Sequence, residues 1–180
     1  MQPSDSDFQQ NYFQLFGIAQ SYQIDFARIE QQYRALQTLV HPDKSAHLPA
    51  VEQRVAMQRA TLVNEAYQTL RSPIRRARYL LSLQGVDTQE ATNTAMPVDF
   101  LMAQMEWREA VIEARQTRDV AVLEQLEARM KHETHELEAQ LEIKIDTEKN
   151  YADAAGLVRK LRFMEKLAEE IHVAYDEIDN

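Results

Sequence analysis

Apolar residues recur at steps of three and four along most of this 180-residue chain, the spacing that places side chains on one side of an α-helix. Only 3 glycines and 5 prolines interrupt the pattern, and strong helix formers (Ala, Leu, Glu, Gln and Arg) dominate the segments between them. Hydrophobic residues make up 44% of the chain, which is enough for a packed core. The sequence therefore predicts an all-α fold.

Turn residues divide the first half of the chain into four predicted helices, over residues 8–16, 26–40, 50–70 and 73–83. Asp25 is placed to cap the second helix, and Pro42 ends it because the residue before a proline avoids the helical region. Ser72 and Pro73 begin the fourth helix, and Gly85 closes it. The residues expected to face inward from the two central helices are Phe26, Ile29, Tyr33, Leu36, Val40, Val51, Val55, Leu62, Ala66 and Leu70.

The second half of the chain predicts a separate three-helix bundle. A polar, turn-rich stretch over residues 86–97 is typical of a linker, so we expect one domain at 1–85 and another at 98–180. The three helices are predicted at residues 98–115, from the Asp119 cap to 147, and at 151–178. Their short connections predict that they pack together as a bundle.

Charge and composition exclude several classes of function. The net charge is −9, and residues 87–180 hold 11 Lys and Arg against 22 Asp and Glu, whereas residues 1–86 hold 9 against 7. An acidic half argues against nucleic acid or an anionic membrane as its partner. The contrast between the halves suggests two modules with different partners, although charge alone favours the alternative that acidic helices are simply soluble. With no cysteine, disulfides and thiolate metal sites are excluded. No apolar run is long enough to span a bilayer and the first residues lack targeting features, so a cytoplasmic location is expected.

The tripeptide His41-Pro42-Asp43 falls at the predicted turn between two long amphipathic helices. Pro42 restricts the backbone, the His41 imidazole offers two ring nitrogens for hydrogen bonds, and the Asp43 carboxylate is suited to pairing with an arginine. The alternative is a polar turn without function.

Several segments together resemble a known family. The segments YFQLFGI, HPDK, NEAYQTL and RSP are similar to a J-domain, and RRARYLLSLQG, FLMAQMEWRE and VRKLRF are similar to the HscB family of J-domain co-chaperones of iron–sulfur cluster assembly. The resemblance covers about residues 12–170. It implies an N-terminal J-domain hairpin in which His41, Pro42 and Asp43 stimulate the ATPase of an HscA-like chaperone of the DnaK class.

Many J-domains have a lysine-rich second helix. In this chain the basic charge of the chaperone-binding surface comes instead from Arg28 and Arg34, followed by Lys44. Weaker electrostatic steering favours a dedicated partner.

The helix at 98–114 carries two apolar stripes where a bundle helix needs one. At 100° per residue, the first stripe is Phe100, Ala103, Trp107, Val111 and Ala114, and the second is Val98, Leu101, Met102, Met105 and Ile112. Periodicity alone leaves open whether the second stripe is a Met-rich docking surface or is buried between two domains. The resemblance favours docking of an IscU-like cluster scaffold, and it places the contacts on Leu101, Met102, Met105, Glu106, Glu109 and Phe163.

No pattern for catalysis or metal binding is evident. His132 and His135 lie one helical turn apart, but both lie away from the apolar stripe of their helix, which favours a solvated face over a metal site. The chain has no glycine-rich phosphate loop and no nucleophile–base motif, so we expect neither a cofactor nor an enzymatic activity of its own. The chain is expected to be a monomer. Two alternative interpretations remain for its function: a J-protein with other clients, and a structural coiled coil that oligomerises through the second stripe.

Overall fold

The computed structural model describes residues 10–40, 49–90 and 96–179. These residues form seven α-helices and no strand, which confirms the all-α prediction. The helices are α1 (Tyr12–Leu15), α2 (Phe26–Val40), α3 (Ala50–Arg71), α4 (Pro73–Leu83), α5 (Val98–Thr117), α6 (Val120–Glu142) and α7 (Tyr151–Asp179). A π-helical turn, Ile143–Thr147, extends the end of α6. The chain divides into two compact units, Met1–Leu80 and Leu81–Asn180.

The first unit is organised around the pairing of α2 with α3. The Tyr33 ring of α2 stacks on the Tyr67 ring of α3 with centroids 3.9 Å apart, and the Tyr33 hydroxyl donates to Asn64 Oδ1 at 2.9 Å. Ile29 is fully buried, as its place in the 3–4 repeat of α2 predicts. The pair of helices that the sequence predicts on either side of the tripeptide is therefore present.

The short helix α1 is fixed by aromatic packing and by a capping box at Asn11. The Tyr12 ring stacks on Tyr79 with centroids 4.3 Å apart, and the Tyr12 backbone N–H donates to the Tyr79 hydroxyl at 3.0 Å. Burial, together with a hydrogen bond and the negative charge of Glu65, raises the pKa of Tyr12 to about 12, so the phenol stays protonated at neutral pH.

Arg76, a buried arginine of α4, contacts the end of α3, the start of α2 and the segment that precedes α2. The Arg76 guanidinium donates from Nη1 to the carbonyl oxygen of Leu70 at 2.6 Å, near the end of α3. It also lies 4.8 Å from the Tyr22 ring centroid and 5.4 Å from that of Phe26. Because an arginine is charged at every relevant pH, burying it costs free energy, and these partners offset that cost.

Three details of the prediction for the first unit are wrong. The first helix begins at Tyr12 rather than at residue 8, because Asn11 caps it; residues 8 and 9 lie outside the described residues. Phe26 and Val51, expected to face inward, are exposed. Phe26 is the first residue of α2 and packs against the Arg76 guanidinium instead of the helix pair. Val51 lies in the first turn of α3, which is 22 residues long and extends beyond what the 15 residues of α2 can cover.

The predicted start of α2, the end of α4 and the start of α6 are confirmed by their hydrogen bonds. Asp25 accepts the Arg28 backbone N–H at 3.1 Å, and Asp119 accepts that of Val122 at 3.1 Å. Gly85 has a φ of +73°, and the following N–H of Val86 donates to the Leu81 carbonyl at 2.9 Å. This is a Schellman motif, in which glycine adopts the left-handed conformation without strain.

The second unit contains the expected bundle of α5, α6 and α7, which all pack on one another. Its buried core includes Trp107, Val111, Ala114, Leu123, Met130, Leu137, Leu141, Ile145, Ala154, Ala155, Leu157, Val158, Leu161, Met164, Leu167, Ile171 and Ala174. The predicted second helix of the bundle reaches residue 147, but its last five residues form the π-helical turn. Asn150, which the sequence reasoning missed, caps α7 by accepting the Asp153 N–H at 3.2 Å.

Part of the predicted linker is held by the second unit. The Thr88 carbonyl accepts a hydrogen bond from Arg159 Nη1 of α7 at 3.1 Å, and the Thr88 hydroxyl bonds Glu90 at 2.7 Å. The division at 86–97 stays a prediction. Within the described ranges, no helix is long and apolar enough to cross a membrane.

We expect Arg76→Ala to lower the free energy of unfolding by about 2–4 kcal/mol, because it removes a charge-assisted hydrogen bond and two ring contacts. Urea unfolding followed by circular dichroism measures this change. The matched control is Arg75→Ala, since Arg75 is exposed and should contribute less than about 0.5 kcal/mol. Equal stabilities for the two variants would contradict the structural role of Arg76.

Candidate functional site

The basic residues of α2 are both exposed, on opposite flanks of its buried stripe. Arg28 is anchored, because its Nη2 donates to the Gly17 carbonyl at 2.8 Å. Arg34 is 3.6 Å from Glu30 in a solvent-exposed pair, which contributes little to stability. Both guanidinium groups are therefore close to solvent, and Arg34 can exchange its carboxylate partner at little cost.

The tripeptide itself lies outside the described residues. His41, Pro42, Asp43 and Lys44 follow directly after the last residue of α2, and α3 begins at Ala50. Their position between two packed helices is thus confirmed, while their roles stay predictions.

Helix α5 buries one side and exposes the other. Trp107 is 5% exposed, and Val111 and Ala114 are buried with it. Met102 and Met105, on the other side, are 57% and 62% exposed. Within the second unit, the methionine stripe is therefore not part of the bundle core, and its role as a docking surface stays a prediction.

The remaining residues of the predicted scaffold surface lie on α5 or in contact with it. Leu101 is half-buried, and Glu106 and Glu109 are exposed beside the methionines. Phe163 of α7 meets α5 through an edge-to-face contact with Phe100, with ring centroids 6.1 Å apart. The structure thus places five of the six predicted residues on one helix and the sixth against the same helix.

Sequence reasoning missed a buried amide within α5. Gln104 is 3% exposed, and its Nε2 donates to the thioether of Met164 at 3.4 Å, while its Oε1 has no hydrogen-bond partner among the described residues. A thioether is a weak acceptor, so this burial costs stability. Its burial could have been predicted from its position in the sequence. Gln104 is three residues before Trp107 and seven before Val111, which places it on the buried side of the helix.

The two histidines of α6 are exposed, as a solvated helix face predicts. His132 lies 3.4 Å from Glu136, four residues along the same helix. Among the described residues, no group of three or more His, Cys, Asp or Glu is arranged to hold a metal ion.

Comparison with known proteins identifies both units. A DnaJ domain model matches residues 11–79, and a model described as the HSCB C-terminal oligomerisation domain matches residues 96–172. The chain is therefore a J-domain protein with a C-terminal helical domain. More particularly, it belongs to the HscB family of co-chaperones.

The similarity to individual relatives covers almost the whole chain. A co-chaperone HscB homologue from Aromatoleum aromaticum is 49% identical over 173 residues, which are 96% of this chain and 98% of the relative. The structure of chaperone HscB from Vibrio cholerae has 35% identity and a TM-score of 0.83, covering 94% of this chain and 99% of that one. Human co-chaperone HscB has 29% identity and a TM-score of 0.86, covering 95% and 83%.

We expect the triple variant Leu101→Ala/Met102→Ala/Met105→Ala to melt within a few degrees of the unchanged protein. Substitutions at mostly exposed positions should cost less than about 2 kcal/mol in total. Trp107→Ala on the opposite side should cost about 3–5 kcal/mol, since it leaves a cavity in the bundle core. Thermal melting compares the two, and a triple variant as unstable as Trp107→Ala would show that the methionine stripe is structural.

Proposed function

We propose that this chain stimulates the ATPase of an HscA-like chaperone of the DnaK class and delivers an IscU-like scaffold to it during iron–sulfur cluster assembly or transfer. One observation carries the proposal. A helix with a buried core side exposes Met102 and Met105 beside the half-buried Leu101, in a chain whose His41-Pro42-Asp43 falls in sequence between two packed helices. The first feature is suited to binding a client, and the second to engaging a chaperone.

The exposed stripe of α5 has the chemistry of an adaptable protein interface. Methionine is flexible and polarizable, so it adjusts to the shape of a partner surface. Glu106 and Glu109 border the apolar residues with negative charge, which favours a partner with complementary basic groups and excludes acidic ones. Phe163 supplies an aromatic group of the kind that is enriched among strongly contributing interface residues.

The chaperone surface is proposed on α2 and on the residues that follow it in the sequence. Arg28 and Arg34 are exposed there, and Lys44 follows the tripeptide in the sequence. With so few cations, long-range attraction toward an acidic chaperone surface is weak, so recognition depends on close contacts and favours one dedicated partner.

We propose a division of labour between residues 1–85, which engage the chaperone, and residues 98–180, which hold the scaffold, with 86–97 as the linker. The contrast in charge between the two halves agrees with two different partners. ATP is hydrolysed on the chaperone in this proposal, so the chain needs neither a cofactor nor catalytic groups. A cytoplasmic location agrees with such partners.

A second candidate function is self-association through the same stripe. It is favoured by the description of the matched C-terminal family model, which names oligomerisation. We propose a monomer instead, because the second half of the chain is strongly acidic and would repel a second copy. Sedimentation at micromolar concentration distinguishes a 20.9 kDa monomer from a dimer.

We expect His41→Gln to abolish stimulation of the chaperone ATPase while scaffold binding and melting temperature stay unchanged, because the sequence predicts a turn at His41, where a side chain would contribute little to a core. Steady-state ATP hydrolysis by an HscA-like chaperone is the measurement. His132→Gln makes the same change on an exposed face of α6 and should stimulate normally. Normal stimulation by His41→Gln would refute the J-domain part of the proposal.

We expect the triple alanine variant of Leu101, Met102 and Met105 to bind the scaffold about a hundredfold more weakly. Each truncation at a protein interface costs about 1 kcal/mol, and a factor of ten corresponds to about 1.4 kcal/mol. Calorimetric titration with purified apo scaffold measures the affinity. Stimulation of the chaperone without scaffold should be retained, and an unchanged affinity would place the client elsewhere.

A further inference from the structure

A second apolar surface lies in an open groove between α5 and α7 of the bundle. The groove has a volume of about 580 Å³, several times that of an aliphatic side chain, and Val111 and Ala174 form its buried floor. Ile112 of α5 and Val173 of α7 line it and are 46% and 48% exposed. Two helices thus present aliphatic side chains to solvent at one place, where a partner side chain can contact both.

Two ion pairs connect α5 to α7 along this groove. Arg108 Nε lies 3.1 Å from Glu170, and Arg115 Nη1 lies 3.3 Å from Glu177. In each helix the paired residues are seven positions apart, about 10.5 Å at 1.5 Å per residue. The exposed Ile112 and Val173 fall between the pairs in sequence. An apolar centre with a polar border is the arrangement that excludes water around strongly contributing interface residues.

The groove continues the exposed stripe that the proposed function uses. Ile112 follows Met105 by seven residues and Leu101 by eleven, and at 100° per residue the three lie within about 40° of one another. The line they form is about 16 Å long at 1.5 Å per residue. One bound protein can therefore contact all three.

The size of a specific interface also requires contacts beyond the six residues that the family resemblance places in the scaffold surface. A stable protein–protein interface typically involves roughly 20–30 residues on each side. Leu101, Met102, Met105, Glu106, Glu109 and Phe163 supply far fewer. The groove exposes Ile112 and Val173 among charged residues, and Ile112 lies on the same face of α5 as Leu101 and Met105, so the groove is suited to supply part of the remainder.

We propose that Ile112 and Val173 form a second anchoring site for the scaffold, which inserts an apolar side chain between them. This inference rests on the proposed function, because it assigns the groove to the same partner as the methionine stripe. A second copy of this chain is a poorer occupant, since residues 87–180 hold 22 acidic residues against 11 basic ones and two such bundles repel.

The test is the double variant Ile112→Ala/Val173→Ala, titrated with purified apo scaffold by calorimetry. We expect about tenfold weaker binding with an unchanged melting temperature. The matched control is Val120→Ala/Ile143→Ala, which removes the same side-chain types at 40% and 50% exposure elsewhere in the bundle. The control should bind normally, and equal affinities for the two double variants overturn the proposal.

Site-directed cross-linking identifies the occupant directly. The chain has no cysteine, so Val173→Cys introduces a single attachment point for a benzophenone maleimide. Irradiation with scaffold present should give a product with the combined mass of one chain and one scaffold, whereas Ile143→Cys should give none. A product of two copies of this chain, formed without scaffold, overturns the assignment.

The two proposals can fail separately. If the triple alanine variant of the methionine stripe loses binding and the groove variant does not, the anchoring site is wrong and the proposed function stands. If neither variant loses affinity, the anchoring site is wrong and the scaffold docks elsewhere on the chain, while the proposed function fails only if the unchanged protein does not bind the scaffold. If only the groove variant loses affinity, the groove is an anchor and the methionine stripe is not the docking surface.

Discussion

The second unit depends on the burial of one side of α5. Trp107, Val111 and Ala114 pack into the core with α6 and α7, and this burial fixes the rotation of the helix about its axis. Because a helix that is fixed by one side must present its other side elsewhere, Met102 and Met105 face solvent. The exposed stripe is thus a consequence of core packing, and it is presented on a rigid element rather than on a loop.

The rotation of α5 is further restricted by polar contacts with α7. Gln104 bonds the Met164 thioether, and the Arg108–Glu170 and Arg115–Glu177 pairs join the two helices on the neighbouring side. The exposed ion pairs add little to stability by themselves. Their importance here is geometric, since they lie along a groove whose walls, Ile112 and Val173, stay open to solvent.

The first unit separates stability from recognition in a similar way. Tyr33, Tyr67 and the Arg76 guanidinium are engaged in ring contacts and hydrogen bonds within the unit. Arg28 and Arg34, which are proposed for chaperone binding, are exposed and contribute little to that packing. Substitutions on an exposed surface of this kind can alter partner binding with little effect on the fold.

The sequence by itself determined the helical class, most helix ends and the existence of two apolar stripes on α5, because caps and 3.6-residue periodicity are local properties. It also suggested the family through short motifs. Which stripe is core was decided only by the tertiary structure, since both are apolar and the choice depends on the neighbouring helices. The same holds for the exposed Phe26 and Val51, the buried Gln104 and the groove between Ile112 and Val173. These features arise where segments distant in sequence meet, and no local pattern records which side chains the partner helix covers.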